Sequence, residues 1–137
     1  QGLSGRLSRG QLIEHVPACG EDEDAASMAL TSLHRLMHRR GIRCQEVGNL
    51  QVGSTSNMDR SKSMKSELMA LLEPLVSADI EGVDHQGRNA GVSAVLGCVR
   101  WAFGADWDGR WSVAVCYDVP DSSSCSSSGA VSVAVLV

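Results

Sequence analysis

Strand-length apolar runs at Val47–Val52, Ile80–Asp84 and Trp111–Tyr117 alternate with helix-length stretches, and that alternation confines the chain to a layered α/β sheet. Ahead of the first strand, the acidic run Glu21-Asp-Glu-Asp24 opens a helical pattern with Ala26, Met28 or Ala29, Leu33, Leu36 and Met37 on one side. Arg39, Arg40 and Gly41 close it. Acids at the start and bases at the end suit the helix macrodipole, and glycine suits the position just past the end. The Ser/Thr/Asn loop to Asn57 leads to a second helix over 59–73, which Pro74 stops. A third helix, apolar and rich in small residues, covers 89–103, and an Asp108-Gly109 turn then introduces the strand Trp111–Tyr117, read as buried. A Ser-rich loop over 121–128 precedes a last strand, Ala130–Val137. Residues 1–20, rich in Gly, Ser and Arg, read as an irregular surface segment with one short helical stretch near Gln11–Val16, so the folded domain is expected over 21–137.

With 137 residues, 43% of them apolar, the chain fits one domain with a modest core. A net charge of −4 lacks the basic excess of a nucleic-acid surface, so nucleic-acid contact is not indicated. No apolar run approaches the roughly 18 residues of a membrane span. The five cysteines (19, 44, 98, 116, 125) form no C-x-x-C pair, which indicates neither a disulfide framework nor a zinc site and favours a reducing compartment. The start at Gln1 fits removal of a targeting peptide, giving a mitochondrial expectation with the cytoplasm as alternative.

Four motifs then narrow the reading: Val47-Gly-Asn-Leu-Gln-Val-Gly53, Asp59-Arg-Ser-Lys-Ser-Met-Lys65, Asp79-Ile-Glu-Gly-Val-Asp84 and Trp107-Asp-Gly-Arg110. Their identity, order and spacing resemble the N-terminal portion of the hydroxymethylglutaryl-CoA synthases, most clearly over 47–113. The resemblance implies a thiolase-like α/β fold, here an incomplete half with a mixed, mostly parallel sheet flanked by helices. It also implies Claisen condensation of acetyl-CoA with acetoacetyl-CoA, in which a Cys carries the acetyl group and a Glu moves protons. In that family the segment after D-I-E-G-x-D runs T-N-A-C-Y-G-G. Here it reads His85-Gln-Gly-Arg-Asn-Ala-Gly91, one residue shorter, and the position of the nucleophilic Cys falls at Arg88 or Asn89. The acid/base Glu of the family's V-G-T-E-T loop is Thr55 in Val52-Gly-Ser-Thr-Ser56. The third catalytic group, a His, lies in the half of the family that has no counterpart in these residues.

Neither Arg nor Asn attacks a thioester as a thiolate does, and the hydroxyl of Thr55 does not titrate near neutral pH. Cys98, nine or ten residues further along the same helix and so about 14 Å away, reads as core. Ser54, Ser56 and Ser93 lack a base visible in the sequence, His85 being the local candidate. His34 and His38 share a helix face but have no H-E-x-x-H glutamate, so they read as exposed histidines rather than metal ligands. Arg60, Lys62 and Lys65 read as a solvated helix start, and Trp101, Trp107 and Trp111 as core packing and turn anchors. No cofactor and no metal are expected.

The resemblance therefore implies a non-catalytic remnant, retained as a structural or accessory subunit of a larger assembly such as a mitochondrial ribosome or respiratory-chain complex, with other protein subunits as partners. The alternatives are an acyl-CoA or acyl-carrier binding module, and the scaffold half of a synthase completed by a partner chain. Within the family, the strand matching Asp79, Ile80, Glu81, Gly82, Val83 and Asp84 lies at a sheet edge and pairs between subunits, which makes it the expected interface. The family's opening strand, expected at the centre of the sheet, has no evident match in residues 1–20, so exposed apolar faces are expected as well.

Overall fold

A computed structural model describes residues 25–55, 63–72, 79–105, 107–119 and 130–137. The segment over 1–20, the Ser-rich stretch 121–128, the cluster Arg60 and Lys62, and the stop at Pro74 lie outside the described residues. Helix α1 (Ala25–Arg40) buries Ala29, Leu33 and Met37, one residue per turn along a single stripe. It ends where the sequence places the glycine: Gly41 takes φ +65°, its N–H bonds His38 O at 3.3 Å, and Ile42 N–H reaches Met37 O at 2.9 Å. That pair of bonds is the Schellman arrangement, and it satisfies two carbonyls that the helix end leaves open.

Strand β1 (Val47–Ser54) is buried along its whole length, because both of its faces are covered and both of its edges are paired. Helix α2 (Met64–Leu72) follows, then β2 (Glu81–Gln86), α3 (Ala90–Ala102), β3 (Trp111–Asp118) and β4 (Val131–Leu136). Among the described residues the strands form one sheet in the order β2-β1-β3-β4. β1 runs parallel to both neighbours, and β4 is antiparallel to β3. The expected mixed, mostly parallel sheet is thus observed. α1 and α2 cover one face through Leu33, Leu50, Leu68, Leu72, Val113 and Val115, and α3 covers the other through Ala94, Cys98 and Ala114. A register shift at Gly48 turns Val47 to the same side as Leu50.

One expectation is corrected. No central strand is missing, since β1 and β3 pair directly from Asn49↔Ser112 to Ser54↔Tyr117. Any further strand of this sheet has to sit beside β2 or β4. A smaller correction concerns the tryptophans. Trp111 is 45% exposed and is not core, whereas Trp107, 51% exposed, takes the expected turn-anchoring part.

The retained motifs have structural work here. Trp107 Nε1 donates to Arg110 O at 2.9 Å, and Asp108 accepts from Arg110 N at 3.1 Å and from its Nε at 2.5 Å. The same guanidinium reaches Val47 O at 3.4 Å and Asp79 O at 3.0 Å. Arg110 therefore ties the entry of β3 to the entries of β1 and β2. Partial desolvation alone would raise the Asp108 carboxyl, but the Arg110 hydrogen bonds and charge hold it below its usual range. Arg110→Ala is expected to lower stability by about 1–2 kcal/mol in urea denaturation, through lost charge-assisted bonds to carbonyls rather than the exposed ion pair. Asp84 plays the matching part at α2: it accepts Lys65 N–H at 3.1 Å and the Ser63 hydroxyl, so β2 caps the helix start.

Candidate functional site

The pocket of interest opens at the C-terminal ends of β1 and β3, where α3 begins and β4 enters the sheet. It measures about 280 Å³. Ligands gather at this end of parallel strands because loops and helix starts converge there. Thr55, Arg88 and Asn89 all line it, so the structure brings together the residues that the resemblance matches to the family's Glu and Cys positions.

Each is positioned by a local reason. Gly87 takes φ +109°, donates to Ser54 O at 3.2 Å and accepts from Ala90 N at 2.9 Å. This tight turn from β2 into α3 leaves Arg88 and Asn89 exposed on the rim. Asn89 caps the helix start by position only, with no side-chain bond to it. Thr55, just past β1, donates to Asp118 Oδ2 at 2.5 Å. Close approach of α3 to the sheet depends on Gly53, where a Cβ would stand 2.6 Å from Ala90 O.

Sequence reasoning missed Cys116 and Asp118, which line the same pocket with Val131 and Val133. Their signal was available: both sit at even spacing from Ala114 at the end of a strand adjoining β1. Cys116 Sγ contacts Gly91 O at 3.7 Å, and burial pushes its thiol above the ordinary range. Burial raises Cys98 too, against a lowering hydrogen bond with Ser112; Cys98 is fully buried, as expected of core. Cys116 is expected to alkylate slowly with iodoacetamide at about pH 7.5 and faster as the pH rises, because the thiolate is the reactive form, whereas the fully buried Cys98 is expected to stay unlabelled in the folded chain. Peptide mapping after timed labelling reads this directly.

His85 is drawn away from the pocket. Its Nε2 lies 2.7 Å from Gln51 Oε1, and Gln51 Nε2 in turn donates to Asn49 Oδ1 at 2.9 Å, which also accepts Ser112 Oγ at 2.9 Å. The polar side chains Asn49, Gln51 and Ser112 are buried under α3, and this chain of bonds satisfies them. His85 lines a separate hollow of about 10 Å³ beside Asp84 and Tyr117, the size of one water. Burial raises the Tyr117 hydroxyl, against a lowering bond with Ser54 and with help from the charges of Asp84, Glu67 and Asp118. Among the described residues no group of three or more His, Cys, Asp or Glu is placed to hold a metal ion, and His34 and His38 are exposed with ring centroids 6.3 Å apart. No helix among them is long and apolar enough to cross a membrane.

The sheet with a parallel centre and an antiparallel strand at one edge, helices on both faces and a pocket where a helix starts at the strand ends agree with the thiolase-like fold class expected from the sequence. The family model for the hydroxymethylglutaryl-coenzyme A synthase N terminal matches residues 4–137. The chain belongs to the hydroxymethylglutaryl-CoA synthase family. The mitochondrial synthase of Sus scrofa is 36% identical across 98% of this chain, and the cytoplasmic synthase of Mus musculus 38% identical across 74%. The chain spans about 27% and 20% of the length of these two relatives. Among solved structures, MvaS in complex with 3-hydroxy-3-methylglutaryl coenzyme A superposes with a TM-score of 0.68 at 24% identity, covering 83% of this chain and 28% of that one. PksG, a synthase from Bacillus subtilis, gives 0.70 at 16% identity, covering 88% of this chain and 30% of that one.

Proposed function

We propose that this chain is a catalytically silent form of the synthase N-terminal region, kept as a structural subunit that holds other proteins. The observation that carries the reading is the convergence of Thr55, Arg88 and Asn89 in one pocket. The residues lining it offer no thiol that ionises readily, and its Asp118 carboxylate is engaged by Thr55. Acyl transfer needs an activated nucleophile and a base within reach of it. The Asp79–Asp84 segment, which ends in edge strand β2, is one surface for a partner subunit. A mitochondrial ribosome or respiratory-chain complex is our working host, by analogy with other enzymes recruited as subunits. Relatives of both compartments match, so the mitochondrion is kept as the working location with the cytoplasm as alternative. Size fractionation of a native extract, with the companions identified by mass spectrometry, tests this. Migration in a large particle supports it; migration at the chain's own mass overturns it.

A second reading rests on the apolar residues Val92, Val131 and Val133 in the pocket that Arg88 also lines. Those residues suit an acyl group with a phosphate-bearing carrier outside, held without turnover. A CoA thioester at a hundred times its dissociation constant would then stabilise the chain by about 2.7 kcal/mol. No thermal shift with acetyl-CoA or acetoacetyl-CoA would remove this reading. A split synthase, completed by a partner carrying Cys, Glu and His, would instead show condensation activity only on mixing.

A further inference from the structure

The end of α1 and the turn after it gather a cluster of positive charge that the chain's net charge of −4 averages away. Arg35, Arg39, Arg40 and Arg43 are packed into a short stretch, and positions 25–45 contain no Asp or Glu. Helical spacing sets His34, Arg35, His38 and Arg39 on the side of α1 opposite the buried stripe of Ala29, Leu33 and Met37, and all four are exposed. Arg35 and Arg39 stand one turn apart, as do His34 and His38, whose rings stack with centroids 6.3 Å apart. The helix macrodipole accounts for the last-turn bases His38, Arg39 and Arg40. It does not account for His34 and Arg35 a turn earlier, nor for Arg43 beyond the end. Among the described residues Arg35, Arg39 and Arg40 form no ion pair, while Arg43 pairs with Glu46 at 3.3 Å. A 3-10 turn, Cys44–Glu46, leads from this helix end straight into β1, so the basic face lies toward the strand starts, away from the pocket at the strand ends. Glu81 and Asp108, acids at the strand-start end, are engaged by Trp101 and Arg110.

We propose that this face of α1 binds the phosphate backbone of RNA. The inference deepens the scaffold reading and rests on it for a host that carries RNA rather than DNA. The cluster uses Arg and no Lys, and a guanidinium meets two phosphate oxygens at once and sheds water more readily than an ammonium. The large hydrophobic residues exposed among the described residues all lie outside α1. A protein partner would need an apolar or aromatic centre to the interface, and a membrane surface an apolar stripe to enter it. The apolar stripe of α1 is already committed to the core. A polar, strongly positive face is what nucleic acid meets in its complexes. With no Phe, Tyr or Trp in α1 for bases to stack on, the contacts fall on phosphates and are independent of base sequence.

The test titrates the full chain into a fluorescein-labelled RNA duplex of about 20 base pairs and follows anisotropy. Saturable binding is expected, with an affinity that falls roughly a hundredfold between about 50 and 200 mM salt, as some four phosphate contacts require. The double variant Arg35→Gln, Arg39→Gln should bind at least about tenfold more weakly and make the salt dependence shallower by about two contacts. Both residues are exposed, so its urea midpoint should match that of the unaltered chain. Arg100→Gln, an exposed arginine on α3, should leave RNA binding unchanged. No saturable binding at the lower salt, or equal binding by the double variant, overturns the proposal. Tighter binding at matched salt of a Glu-rich peptide, or of phosphatidylserine vesicles, overturns it in favour of an acidic protein or a membrane surface. A DNA duplex of the same sequence bound more than about tenfold tighter overturns the choice of RNA. Failure to bind RNA by a chain that still migrates in a large particle removes only this assignment of α1, whereas migration at its own mass removes the scaffold reading.

Discussion

Leu50→Ala is expected to cost about 3–5 kcal/mol of folding stability, the upper part of the range for a buried leucine. Leu50 is fully buried in β1, paired on both sides, with Val113 and Val115 beside it and Leu33, Leu68 and Leu72 in the layer above. A cavity closes cheaply only where neighbours can move into it. Here β2 and β3 fix the backbone from either side, and Leu33 belongs to a helix whose other buried residues, Ala29 and Met37, are in the same cluster. Since domains of this size hold roughly 5–15 kcal/mol in total, the urea midpoint should fall by a large fraction while the slope stays unchanged. A loss under about 1 kcal/mol would mean that this layer is not the main core.

Gly53→Ala is expected to cost about 3 kcal/mol through crowding, although it adds one methyl group. The new carbon would lie 2.6 Å from Ala90 O, 2.8 Å from Ala90 C and 3.0 Å from Gly91 Cα. All three are backbone atoms of the first turn of α3, so relief requires the helix to lift from the sheet. Gly91→Ala is the control. Its Cβ would meet Cys116 Sγ at 3.4 Å, an ordinary contact, and a change under about 1 kcal/mol is expected. Because Gly53 lies beside Thr55 and α3 carries Arg88 and Asn89 at its start, a lifted helix would also widen the pocket. Chemical-shift changes confined to α3 and the ends of β1 and β3 would report it.

Helix α1 was legible because Leu33, Met37 and Gly41 each obey a local rule: burial once per turn, then a left-handed glycine. The centre of the sheet was harder. In β1 the alternation of Asn49 and Gln51 with Leu50 and Val52 marks a strand but not what covers each face. In fact both faces are covered, and the polar one is closed by the Asn49, Gln51, Ser112 and His85 bonds, which no single strand displays. Val131 and Val133 mislead in the opposite sense, since their apolar run suggests burial but each is 49% exposed. The candidate site was legible to the extent that a motif named its positions. Thr55, Arg88 and Asn89 came from departures within recognisable segments, whereas Cys116 and Asp118 joined them through strand pairing across more than sixty residues of sequence, as the Thr55–Asp118 bond illustrates.

The central claim is that the pocket forms no acyl-enzyme, and intact-mass spectrometry after incubation with acetyl-CoA tests it most directly. The account predicts no stoichiometric gain of an acetyl group at pH 7.5, and the same unmodified mass for Cys116→Ala. A covalent acetyl thioester formed at neutral pH, mapped to Cys116 and absent from Cys116→Ala, would contradict it and return this pocket to catalysis.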